Sequence, residues 1–111
     1  MDKNRALAGL SALGQETRLD VFRLLLGHAP DGLPAGEIGA RLGVVQNTLS
    51  NHLSILQQAG LAAARREGRS ILYSADMAGT RALMGFLLED CCGGRADLCG
   101  PVLDEIARDC A

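Results

Sequence analysis

The sequence predicts a mainly α-helical chain with one small β-hairpin, folded as a single domain over residues 1–111. Three observations carry that expectation. Apolar residues recur at helical spacing in most of the segments between breakers. A single pair of strand-like runs, Ala62–Arg66 and Ser70–Ser74, interrupts them. A chain of 111 residues suits one domain around one core, and 48% hydrophobic residues are too many for a disordered chain.

Taken in order, Asn4–Leu13 is an apolar helix with Leu7, Leu10 and Leu13, expected to cap a dimer interface. Gln15–Leu26 is a second helix, with Leu19, Phe22 and Leu26 expected to face the core. Gly27-His28-Ala29-Pro30-Asp31-Gly32 is a loop rich in breakers, and its lone histidine is expected to be solvated. Pro34–Leu42 is a short amphipathic helix with Ile38 and Leu42 inward, ended by Gly43. After the hairpin, Asp76 is a good N-cap for a helix from Met77 to about Cys92. Met77, Met84, Leu87, Leu88 and Cys91 form its packing stripe, and Gly93-Gly94 stop it. Pro101–Cys110 suits a last short helix with Leu103, Ile106 and Ala107 inward.

The chain is organised around Gln46–Leu61. Leu49, Leu53, Leu56 and Gly60 share one helical stripe, while Gln46, Asn47, Thr48, Ser50, Asn51, Ser54 and Gln57 are polar without charge. Solvated helix faces normally use Lys and Glu, whereas amide and hydroxyl side chains are what base edges ask for. The Gly43-Val44-Val45 turn before it gives helix-turn-helix spacing, whose second helix enters the major groove. Arg65, Arg66 and Arg69 crowd the hairpin, joined at Glu67-Gly68-Arg69, where they could reach phosphates. Helix, turn, helix (about 34–60), basic hairpin (about 62–74) and C-terminal helices (about 76–111) make a winged helix-turn-helix that binds DNA. Gln46, Thr48, Asn51 and His52 are candidates for base or backbone contact, Ser50 for phosphate, Asn47 for DNA contact on the same face, and Arg65, Arg66 and Arg69 for phosphate or minor-groove contact.

These motifs resemble the ArsR/SmtB family of bacterial metal- and metalloid-responsive repressors. The matching residues are LGQETRLDVFRLL (Leu13–Leu25), TLSNHLSILQQAGL (Thr48–Leu61) and REGRSILYSAD (Arg66–Asp76). The resemblance implies a homodimer on double-stranded operator DNA with an inverted repeat, released when an inducer binds. Two sensor sites common in the family are missing here. Glu37–Leu42 has no cysteine, and Asp76–Asp90 has no histidine.

The formal net charge of −2 is distributed unevenly. Residues 1–75 carry eight basic and six acidic side chains, while residues 76–111 carry three and seven. The basic surplus lies where DNA would lie, and ten of the eleven basic residues are Arg, which favours bidentate phosphate and guanine contacts. The opening MDKNRALAGL lacks the apolar core of a signal peptide, and no apolar run approaches the ~18 residues of a membrane span. A cytoplasmic location is expected, where thiols stay reduced and clustered cysteines more often signal metal or redox chemistry.

All four cysteines, Cys91, Cys92, Cys99 and Cys110, fall in the last 21 residues. Adjacent helical residues point about 100° apart, so Cys91 and Cys92 need the Gly93-Gly94 pair to unwind the final turn. Cys99 can then fold back over a short loop, giving three sulfurs from one subunit. Three thiolates without other donors select soft ions, and a trigonal site fits trivalent arsenic and antimony alike. The resemblance agrees, because a subset of the family senses arsenite through a Cys-Cys pair ending this helix plus a third cysteine; that role carries onto Cys91, Cys92 and Cys99. Cys110 either completes a Cys₄ zinc or cadmium site or is a spare thiol. Vicinal cysteines also allow a thiol-redox or persulfide switch in the same fold. An enzyme is not expected: a phosphatase-like arsenate reductase needs Cys-x₅-Arg, and the positions six after Cys91, Cys92 and Cys99 hold Asp97, Leu98 and Glu105.

Overall fold

The computed structural model describes residues 1–88, 100–102 and 104–106. Among the described residues the elements follow in the order α1 (Lys3–Leu13), α2 (Glu16–Gly27), β1 (Leu33–Pro34), α3 (Ala35–Leu42), α4 (Gln46–Gln58), β2 (Ala62–Glu67), β3 (Ser70–Ala75) and α5 (Met77–Leu88), and residues 100–102 and 104–106 are helical as well. This is a winged helix-turn-helix, mainly α with a small sheet.

The helix ends are set by local chemistry. Asp2 caps α1, its carboxylate accepting from the Arg5 amide at 2.8 Å. Gln15 does the same for α2 through the Arg18 amide at 2.8 Å. Gly43 closes α3 in the left-handed region at φ 68°, a conformation cheap only for glycine. Asp76 caps α5, as expected, accepting from the Gly79 amide at 3.0 Å.

One continuous core forms beneath the helices, built from Val21, Phe22, Leu25, Ile38, Leu49, Leu53, Leu56, Leu61 and Leu83 with smaller residues between them. In α1 the buried residues are Ala6, Gly9 and Ala12, so the helix lies close on its neighbours. A Cβ at Gly9 would stand 3.2 Å from Leu83 of α5. The α1 leucines instead point outward, Leu7 at 52% and Leu10 at 41% exposure. The α2 stripe is displaced from the expected one: Val21, Phe22 and Leu25 are buried, Leu26 is half-buried and Leu19 is exposed. A run as apolar as VFRLLL offers two overlapping stripes, and packing against α4 selects between them.

The sheet has one strand more than expected. β1 pairs antiparallel with β3 (Leu33 opposite Tyr73), and β3 pairs with β2 along its length, from Ala62 opposite Ala75 to Glu67 opposite Ser70. Pro34 is tolerated because β1 is an edge strand. Gly32 precedes it at φ 82°, where an added Cβ would meet the Tyr73 carbonyl at 2.5 Å. The hairpin turn is Gly68-Arg69, tighter than expected, with Gly68 at φ 63°.

Two further expectations need correction. Gly60 is not on the α4 stripe, because the helix stops at Gln58 and Gly60 turns the chain at φ 79°. Ile106 is half exposed rather than inward, while Leu103 and Ala107 lie outside the described residues. Only Leu83 of α5 is buried; Met77, Met84, Leu87 and Leu88 stand exposed, as do Leu7 and Leu10 of α1. Among the described residues, no helix is long and apolar enough to cross a membrane.

Candidate nucleic-acid interface

Leu49, Leu53 and Leu56 anchor one side of α4 in the core at no more than 1% exposure. That fixes what the other side presents: Gln46, Asn47, Thr48, Ser50, Asn51, Ser54 and Gln57 are all exposed. The helix displays an uncharged polar surface, held rigidly by its apolar back.

The angle of α4 is set by its contact with α3. Gly39 is buried where the two helices meet, and its carbonyl accepts from the Val44 amide at 3.0 Å. A Cβ there would lie 2.8 Å from the Val44 carbonyl oxygen, so only glycine lets the turn close this tightly. Gln46 is partly committed to the same junction, its Nε2 donating to the Ala35 carbonyl at 3.3 Å.

His52 does not belong with the exposed face. It is 9% exposed and turned toward α2, where Arg18 Nη1 lies 3.4 Å from its Nδ1. A guanidinium can only donate, so Nδ1 accepts and the proton sits on Nε2. Burial, and then the Arg18 charge, hold the imidazole below its ordinary pKa of 6.5. Arg18 also donates through Nε to the Ala12 carbonyl at 2.7 Å, so it ties the end of α1 to the middle of α4. His52 is therefore packed on the inner side of α4 against Arg18 rather than displayed with the outward polar residues. Helical spacing puts position 52 on the same side as Leu49, Leu53 and Leu56, and it was the polarity of histidine that had assigned it outward.

His28 is likewise not simply solvated. It is the α2 C-cap, its Nδ1 donating to the Leu24 carbonyl at 3.0 Å while Nε2 accepts from Arg41 at 3.3 Å. Arg41 in turn pairs with Glu37 at 2.6 Å on the same helix.

The three wing arginines divide. Arg65 is committed within the protein: Nη2 donates to the Asp31 carbonyl at 2.9 Å and reaches Glu67 at 3.3 Å, and Nη1 lies 3.4 Å from the Pro30 carbonyl. It braces the wing against the loop before β1. Arg66 makes one long bond, from Nε to the Gly68 carbonyl at 3.5 Å. Arg69, in the turn, makes no hydrogen bond or ion pair among the described residues. Arg66 and Arg69 are thus the wing cations available to phosphate.

Cys91, Cys92, Cys99 and Cys110 lie outside the described residues, as does the helix end expected at about Cys92. No group of three metal-ligating side chains occurs among the described residues.

A family profile described as a helix-turn-helix domain matches residues 13–64. The chain is 33% identical over 89 residues to the transcriptional activator HlyU of Vibrio cholerae, covering 78% of this chain and 80% of that protein. It is 40% identical over 84 residues to the HTH-type transcriptional regulator CmtR of Mycobacterium tuberculosis, covering 73% and 68%. A putative arsenical resistance operon repressor of Halobacterium salinarum is 41% identical over 59 residues, covering 53% of this chain and 49% of that protein. Among solved structures, an ArsR-like transcriptional regulator from Rhodococcus superposes with a TM-score of 0.70 at 26% identity, over 94% of this chain and 93% of that one. A homodimeric winged helix-turn-helix DNA-binding domain from Mycobacterium bovis superposes with a TM-score of 0.61 at 28% identity, over 78% and 81%.

Proposed function

The chain belongs to the ArsR/SmtB family of winged helix-turn-helix transcriptional regulators, and from that premise we propose that it is a homodimeric repressor released from its operator by trivalent arsenic. Two copies of α4 enter successive major grooves of an inverted repeat, with half-sites about one helical turn apart. Asn47, Thr48, Ser50 and Asn51 meet base edges and backbone, Gln46 contributes what its bond to Ala35 leaves free, and Arg66 and Arg69 meet phosphates. The exposed apolar surface of α1 and α5 is the dimer face, in keeping with the homodimer of the M. bovis domain.

The observation that carries the inducer is the Cys91-Cys92-x₆-Cys99 spacing, which begins three residues beyond the last described residue of α5. Those thiols offer a soft, all-sulfur donor set that suits arsenite, or antimonite, better than harder ions. The inducer follows from this chain's own cysteines rather than from its relatives, which include an activator as well as a putative arsenical resistance repressor. Their place in the sequence, shortly after α5, is what links ligand binding to the proposed dimer face. Release requires that the ligand-bound dimer favour the non-binding arrangement, typically by about 1–3 kcal/mol, and DNA must weaken arsenite binding by the same factor.

The test is an arsenite titration of full-length protein on its promoter duplex, under reducing anaerobic conditions, followed by fluorescence anisotropy. Cys91→Ser, Cys92→Ser and Cys99→Ser should each bind DNA normally and fail to release it, whereas Cys110→Ser should respond like the wild type. Release that survives loss of any one of the first three removes the three-sulfur site. Release by peroxide or persulfide but not by arsenite points instead to the thiol switch.

A further inference from the structure

The residue that opens the recognition helix is out of place by every local rule. Val45 is the N-cap of α4, with φ −69° and ψ 150°, and makes no side-chain capping bond. Ser, Thr, Asp and Asn are preferred there because their oxygens satisfy a free helix amide, and valine ranks among the worst choices. Nor is Val45 there to pack. At 70% it is the most exposed of the protein's large hydrophobic side chains among the described residues. The apolar contact that often fixes a helix entry, between the residue before the cap and the fourth helical residue, is left to Val44 and Leu49, both set against the core.

The backbone around Val45 is nevertheless tightly held. Its carbonyl accepts the first helical bond from Leu49 at 2.9 Å, and the Val44 amide is bound to the Gly39 carbonyl at 3.0 Å. The side chain is β-branched and stiff about χ1, so little freedom is lost when it is buried by a partner. It sits at the leading end of α4, beside exposed Gln46, Asn47 and Thr48, where helices of this kind meet base edges. A local rule broken at a rigid position on a binding surface points to function.

Resting on the DNA-binding reading above, we infer that Val45 is a specificity-determining residue that contacts the C5-methyl group of a thymine in each half-site. The major groove is otherwise lined by donors and acceptors, and the thymine methyl is its one apolar feature. Valine gains nothing from a cytosine, guanine or adenine edge at that position. Burying one methyl-sized group is worth about 0.8 kcal/mol, which is about fourfold in affinity per half-site.

The experiment begins by selecting preferred duplexes from a random pool with the full-length wild type. Each thymine of the selected site is then replaced singly by deoxyuridine, which removes only the methyl. The wild type should lose about fourfold at one thymine per half-site, and Val45→Ala should bind the thymine and uracil duplexes alike. Val45→Ser should unfold at equal or higher denaturant, because it restores a cap, and should still lose the thymine preference. A purely structural role for Val45 would not move the thymine-to-uracil ratio. Wild-type binding that is salt-sensitive but indifferent to deoxyuridine at every position, or an unchanged ratio in Val45→Ala, overturns the inference and leaves DNA binding standing. If the wild type retains no duplex at all, the DNA-binding reading falls and the inference with it.

Discussion

Replacing Gly39 by Ala should loosen the turn that aims α4, and the structure provides its own control three residues away. A Cβ at Gly39 would lie 2.6 Å from Gln46 Nε2, 2.8 Å from the Val44 carbonyl oxygen and 3.5 Å from Leu49 Cδ2. The glutamine amide can swing aside, but the Val44 carbonyl is backbone in a three-residue turn and can yield only if α4 shifts against α3. Overpacking of this kind typically costs about 1–3 kcal/mol. Alanine returns up to about 1 kcal/mol of helix propensity, so the net loss should be about 0–2 kcal/mol. Gly36 lies in the same helix with nothing within 4 Å of its added Cβ, and Gly36→Ala should be neutral to stabilising by up to about 1 kcal/mol. The difference between the two variants isolates the clash. Urea unfolding at one fixed protein concentration measures it, since a dimer's midpoint depends on concentration. DNA affinity should fall for Gly39→Ala and hold for Gly36→Ala. If the two variants agree to within about 0.5 kcal/mol, well below the overpacking cost, the close approach of α3 and α4 is refuted.

Acid should destabilise the protein through His52. Its folded pKa lies below 6.5, so the unfolded chain takes up the proton first; stability is full above pH 6.5 and is lost as pH falls through the folded value. Urea midpoints at several pH values should show this slope in the wild type and a weaker one in His52→Gln. In the wing, Arg66→Ala and Arg69→Ala should each lower the log–log salt slope of DNA binding by about 0.9 for every phosphate left without its cation, and so by about 1.8 per dimer. Arg65→Ala, whose guanidinium is held by Asp31 and Glu67, should leave the slope nearly unchanged and lower stability instead. Leu10→Glu should place a charge in the proposed dimer face and leave the fold intact, since Leu10 is exposed in the single chain. Sedimentation should then report a monomer, and operator binding should collapse.

The parts legible in the sequence were those governed by one strong local signal. The leucine stripe of α4, the Asp76 cap and the Gly43 stop each depend on neighbours in the chain, and each is where periodicity or capping rules put it. The parts that were not legible depend on distant partners. β1 is two residues long and contains a proline, so nothing local marks it as a strand; it exists because β3 offers an edge. His52 carries a polar label on a buried arc of its helix, and only Arg18, 34 residues earlier, makes that burial acceptable. Arg65 and Arg69 look equivalent as wing cations, yet Arg65 lies on β2 where the loop at Pro30-Asp31 ties it down, while Arg69 lies in the turn. Leu19 illustrates the opposite failure, because an excess of apolar residues in α2 left the stripe underdetermined.

Arg18 also bears on how a signal from the end of α5 could reach α4. Leu83 of α5 packs on Gly9 of α1, so closely that a Cβ there would be 3.2 Å away. One turn later in α1, the Ala12 carbonyl receives the Arg18 Nε–H, and the same guanidinium reaches His52 in α4. α5 thus rests on a helix whose last turn is bonded to the side chain that reaches α4. The link is short, and half of it is polar, so it has a preferred geometry rather than a range of equivalent slides. Apolar contacts alone would let α1 shift with little consequence for α4, because dispersion has no direction. Hydrogen bonds weaken steeply off-axis, so a small shift of Ala12 must either draw Arg18 away from His52 or break the bond between Arg18 and Ala12. Either result alters the support beneath His52 on the helix whose exposed side carries Asn47, Thr48 and Asn51.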